Sequence, residues 1–103
     1  MGIEIIKKEN EAEIIVSETS LIGLSVENLK KDALELIEDG FKTLTINLEK
    51  TNYIDSSGIG KLLFINKKAI SKGTLLRINR ISPTLLDFFE SLSIDKIIPI
   101  LKK

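Results

Sequence analysis

The sequence predicts an α/β fold, a mixed β-sheet with α-helices packed against it, in the order β-β-α-β-α-β-α-(β). Three observations predict it. Two short Ile-rich runs at the front flank a polar stretch, as in an opening hairpin. Beyond them, segments with a 3.6-residue apolar period alternate with short β-rich runs. The apolar residues, 43% of 103 residues, are mostly 18 Ile and 15 Leu, enough for one core. One domain over residues 1–103 is the expectation.

The elements follow in order. Ile3 to Lys8 and Ala12 to Val16 read as strands joined by a tight turn in the polar stretch Lys8-Glu9-Asn10-Glu11. Ser25 is positioned to cap a helix starting at Val26, whose apolar stripe is Val26, Leu29, Ala33, Leu36 and Ile37. Glu27 suits its first turn and Gly40 the position past its end. Thr43 to Leu48 alternates as a central strand. Tyr53-Ile54 leads into Asp55-Ser56-Ser57-Gly58, and helical spacing runs from Ile59 to Ile70, ended by Gly73. Thr74 to Ile78 is a further strand. Ser82 at the cap and Pro83 at the first helical position open a last helix with Leu85, Leu86, Phe88, Phe89 and Leu92. Ile97 to Leu101 closes the chain as a short strand or packed extension, and Pro99 places it at a sheet edge.

The absences restrict the chemistry. Without His or Cys there is no Ser-His-Asp triad, thiol nucleophile, disulfide, zinc ribbon or iron–sulfur cluster. Fifteen basic residues balance fifteen acidic ones, which gives no basic excess for nucleic acid. No apolar run approaches the ~20 residues that span a bilayer, and the first residues carry no signal-peptide pattern. A cytoplasmic protein without a cofactor and without membrane insertion is expected.

The informative segment is Asp55-Ser56-Ser57-Gly58-Ile59-Gly60-Lys61, between a strand and a helix. A Walker A loop fails twice, because Asp55 stands where its first Gly belongs and Leu62 follows Lys61. The dinucleotide pattern matches Gly58 and Gly60 and fails at Leu63. Two readings remain. In one, Asp55 or Ser56 merely caps the helix and the glycines allow close packing. In the other, an exposed serine at the helix start accepts phosphate, about −1.5 to −2 charges, which the helix N-terminus tolerates.

With Ile81-Ser82-Pro83 and the closing run from Phe88 to Ile98, this segment resembles a STAS domain, and more narrowly the single-domain anti-sigma-factor antagonists. The resemblance is strongest from Thr43 to Ile100. It implies partner switching. The unphosphorylated protein binds an anti-sigma factor that is also a serine kinase, phosphorylation at Ser56 breaks that complex, and a serine phosphatase restores it. Asp55, Ser57, Gly58, Ile59, Gly60 and Lys61 would form the surrounding contact surface, and ATP would belong to the kinase. One departure stands out. The family often carries Gly-Asp/Glu-Leu/Ile-Asp after the second strand, where this chain reads Val16 to Gly23 with Glu18 as its only acid. That departure motivates an alternative, a divergent unphosphorylated STAS subunit acting as a scaffold in a signalling or transport complex. A small enzyme is the third reading, disfavoured because Ser56 would lack an imidazole base.

Three further features have plain readings. Lys61, Lys68 and Lys72 share one side of their helix and read as a solvated face rather than a basic stripe for an acidic partner. Phe88 and Phe89 point in different directions and are expected to be both partly covered rather than one in the core and the other an exposed anchor for a partner. Tyr53 is expected to pack above its strand end rather than flank the contact surface.

Overall fold

The chain opens with two strands, β1 (Ile3–Lys8) and β2 (Glu11–Val16), paired antiparallel through a two-residue turn. Glu9 enters that turn at a φ of 53°. The computed structural model describes residues 2–101. After β2 come β3 (Ser20–Leu21), α1 (Leu24–Glu38), β4 (Thr43–Asn47), β5 (Tyr53–Ile54) and α2 (Ser56–Lys72). Then follow β6 (Leu75–Asn79), α3 (Pro83–Ser91), a 3-10 turn at Ile94–Lys96 and β7 (Ile100–Leu101).

The main sheet has the order β1-β2-β4-β6-β7, and all its pairs after β1–β2 are parallel. The predicted mixed sheet and helix order are therefore present. Each parallel step moves in the same direction across the sheet, and right-handed crossovers stepping one way place their helices on one face. The burial pattern agrees. Ala12, Ile14, Val16, Leu44, Ile46, Leu76 and Ile78 are buried on that face and share one core with the helices. On the opposite face Glu13, Ile15, Arg77 and Asn79 stay partly open, and Arg77 donates from Nε to the Thr45 hydroxyl at 2.9 Å.

The predicted stripe of α1 is buried at each of its five positions. Its start differs from the expectation. The cap is Gly23, at φ 56°, and Ser25 makes no capping bond. The Ser25 hydroxyl instead turns back on the loop, donating to the Ile22 carbonyl at 2.7 Å and accepting from the Ile22 N–H at 3.1 Å. Gly40 follows the helix at φ 93°, as its position predicts. Ser82 caps α3, with Pro83 at the first position. The tail forms an edge strand of only two residues, β7, and the Pro99 carbonyl accepts from the Ile78 N–H at 2.9 Å.

The sequence reading missed a second, small sheet, in which β3 and β5 pair parallel (Ser20 with Tyr53, Leu21 with Ile54). It holds together the loops that leave the carboxyl ends of β2 and β4, where functional loops of such sheets gather.

Candidate functional site

The site begins with a chain that must turn from β5 into α2 without leaving main-chain groups orphaned. Asp55 does this in an extended conformation, φ −90° and ψ 177°, its carboxylate accepting the Gly58 N–H at 2.8 Å. Of the two expected caps, Asp55 is the one used. Ser56 is left at the first helical position, exposed, and among the described residues its hydroxyl has no hydrogen-bond partner. Ser57 is exposed too, but its hydroxyl accepts from Lys61 Nζ at 3.2 Å.

The two glycines differ. Gly58 is buried against the small sheet, and a Cβ there would lie 2.5 Å from Ile54 Cγ1 and 3.3 Å from the Leu21 carbonyl oxygen. Gly60 faces open space. Ile59 is buried in the core. Lys61 reaches across to α1, its Nζ 3.3 Å from Glu27 Oε2. Among the seven predicted site residues, Ser56, Ser57 and Gly60 therefore reach the surface, as do parts of Asp55 and Lys61. Asp55, Gly58 and Ile59 set the geometry beneath them.

The base under the site is braced. The buried Thr51 hydroxyl donates to the Glu18 carbonyl at 2.8 Å, and the Ser82 hydroxyl donates to the Thr51 carbonyl at 2.6 Å. The Asn52 N–H donates to the Thr19 carbonyl at 2.8 Å. These bonds tie the loops after β2, β4 and β6 into one platform for the N-terminus of α2.

Around it lies an apolar rim that the sequence reading did not assign. Tyr53, expected to be packed, is 53% exposed, because β5 pairs with β3 and directs alternate side chains away from the core. The two phenylalanines also depart from the expectation that both are partly covered: Phe89 is fully buried, while Phe88 beside it, facing away from the core, is 39% exposed. Tyr53, Phe88, Asn52 and Thr84 line a shallow cavity of about 210 Å³. Leu24, 75% exposed, and Ile22 lie on the loop from β3 to α1. The one available signal for that loop was the cluster Leu21-Ile22-Gly23-Leu24, apolar yet interrupted by a glycine. Of the lysine stripe, Lys68 and Lys72 are solvated, as read, whereas the Lys61 side chain is only 25% exposed, paired across the helix seam with Glu27; Lys72 pairs with Glu38 at 3.5 Å.

The sequence model of the STAS domain matches residues 5–103. The chain belongs to the STAS domain family. Solved structures agree in fold. Against the anti-sigma factor antagonist SpoIIAA in its unphosphorylated form the TM-score is 0.80 at 18% identity, covering 98% of this chain and 89% of that one. The phosphorylated form of SpoIIAA from Bacillus gives 0.74 at 17% identity, over 98% and 92%. A sulfate transporter family protein from Wolinella succinogenes gives 0.72 at 16% identity, over 88% and 73%. In this STAS domain no helix among the described residues is long and apolar enough to cross a membrane.

Proposed function

We propose that this STAS domain is an anti-sigma-factor antagonist that binds an anti-sigma factor with serine-kinase activity and is switched by phosphorylation of Ser56. The observation that carries the proposal is the free, exposed Ser56 hydroxyl at the first turn of α2, beside a cap already supplied by Asp55. Because Asp55, not Ser56, secures the helix, Ser56 is available for modification at little structural cost. A phosphate there would meet the helix N-terminus, which favours negative charge, and the Asp55 carboxylate, which opposes it. The fold then changes little while the surface field changes strongly. Ser57, Gly60 and Lys61 form the polar contact surface, and Tyr53 and Phe88 add apolar contacts.

The same geometry supports a role in protein binding rather than catalysis. The adjacent carboxylate, Asp55, is engaged with the Gly58 N–H rather than with the Ser56 hydroxyl, which it would have to deprotonate to act as a base. A kinase supplies the ATP, and a serine phosphatase would reset the switch. Sigma-factor control would place the protein in the cytoplasm.

The second reading, an unphosphorylated scaffold subunit, is favoured by the segment Ser17 to Gly23. Its one acid, Glu18, contributes its main-chain carbonyl to the Thr51 brace. A paired pull-down, wild type against Ser56→Asp, separates the two. Capture of an ATP-binding serine kinase by wild type alone, followed by transfer of one phosphate to Ser56 when the purified pair is given Mg-ATP, supports the switch. Equal capture of the same non-kinase partners by both proteins supports the scaffold.

A further inference from the structure

The outer edge of β1 is an unusually complete pairing surface. The strand is six residues long, contains no Pro and pairs in unbroken register with β2. Among the described residues no strand lies on its other side. Natural edges are commonly blunted by Pro, bulges, brevity or charged side chains, and of these β1 has only the charges, Glu4, Lys7 and Lys8.

The register tells which groups face outward. The Ser17 N–H donates to the Gly2 carbonyl at 2.7 Å, so residues 2 and 17 are a hydrogen-bonded pair of the antiparallel ladder. Such pairs alternate, so Glu4, Ile6 and Lys8 direct their main-chain groups toward β2. Ile3, Ile5 and Lys7 direct theirs outward. Side chains alternate as well. Glu4, Ile6 and Lys8 stand on the sheet face without helices, all exposed. Lys7, on the other face, lies over the Phe41 ring at 6.0 Å.

We propose that a second copy of this chain pairs antiparallel along β1, with the two-fold axis at Ile6. In that register Ile5 and Lys7 of opposite copies exchange main-chain hydrogen bonds. On the open face Glu4 of each copy meets Lys8 of the other, and the two Ile6 side chains meet at the axis. These are the non-hydrogen-bonded positions, where opposite side chains are closest. Among the described residues neither Glu4 nor Lys8 is ion-paired within the chain. Lys8 lies opposite Glu11 across the hairpin, so the dimer would set it between two carboxylates. On the open face the other two-fold registers are worse. An axis at Glu4 or Lys8 juxtaposes like charges, and an axis at Ile5 or Lys7 sets Ile6 against a charge. The row Glu4-x-Ile6-x-Lys8 is self-complementary in one register only. The charges that would repel an arbitrary edge accept this one.

A single strand edge falls below the roughly 1,200 Å² of firm complexes, so the dimer is weak. Sedimentation velocity from about 10 µM to about 1 mM tests it. The expected result is a reversible dimer. Glu4→Lys and Lys8→Glu should each raise its dissociation constant at least about tenfold, because both symmetry-related pairs turn repulsive. The combined Glu4→Lys, Lys8→Glu protein should return to within about threefold of wild type. Amide exchange gives an independent readout. The Ile5 and Lys7 amides should gain protection as concentration rises, whereas Ile6, bonded within the hairpin, should not. A monomer at every concentration overturns the proposal. So does a dimer indifferent to the single reversals, or a combined variant that stays monomeric. Should Lys8→Glu unfold through its new repulsion with Glu11, Glu4→Lys and the amide exchange of wild type decide the question alone.

Discussion

At Gly58 and Gly60, two residues apart in one helix, the same substitution should have opposite effects. Gly60→Ala adds a methyl in open space and removes backbone freedom from the unfolded chain, so it should stabilise by about 0.5–1 kcal/mol. Gly58→Ala gains the same propensity but presses on Ile54, itself fully buried, and on the Leu21 carbonyl. Overpacking of that kind costs about 1–3 kcal/mol, so a net loss of about 1–2 kcal/mol is expected. Urea unfolding of the two variants reads both signs. Ser56→Asp should move stability by no more than about 0.5 kcal/mol, since the Ser56 side chain is exposed and, among the described residues, makes no hydrogen bond. A melt that falls well beyond this would mean that Ser56 is structural. At this scale the sequence narrowed the cap of α2 to Asp55 or Ser56, because both are local capping residues before an apolar helix, and the structure chose Asp55. It misled about Ser25, where Gly23 takes the positive-φ cap and the serine binds the loop instead.

At the scale of elements, the site depends on how β3, β5 and the start of α3 are joined. Ser82 serves two of them, accepting the Leu85 N–H at 3.3 Å and donating to the Thr51 carbonyl. Ser82→Ala loses a cap and leaves a buried carbonyl without its donor, a loss of about 1–3 kcal/mol. The Asn52 and Tyr53 amides should also exchange faster, because the platform beneath them loosens. Unchanged exchange there, with stability lost, would show that the brace and the cap are uncoupled. The Lys61–Glu27 pair joins α1 to α2 at the surface, with Glu27 mostly exposed. A double-mutant cycle should assign it less than about 1 kcal/mol. None of these joints was legible beforehand. Two-residue strands have no measurable period, and the bond from Thr51 to Glu18 spans 33 positions.

For the whole molecule, one core carries the stability and one open face of the sheet is left over. Phe89 is among the largest fully buried side chains. Phe89→Ala should cost about 3–5 kcal/mol, a large share of the 5–15 kcal/mol typical of a domain. Phe88→Ala should cost under about 1 kcal/mol and act on partner binding instead. Comparing urea midpoints with capture of the kinase separates core from contact surface, and a reversal of the two residues' roles would refute the assignment. What the sequence by itself determined is the succession of main-sheet strands and helices, the buried stripe of α1, the cap at Ser82, the choice of Asp55 or Ser56 as the cap of α2, and the edge placement of the tail. Each follows from a local rule of period, capping or proline chemistry, written within a few neighbouring residues. Only the tertiary structure decided that the helices cover one face, that β3 and β5 pair, that Tyr53 is exposed and that Lys61 and Lys72 turn toward α1. Those outcomes depend on which distant segments the one-directional parallel crossovers bring side by side, and no local pattern encodes that.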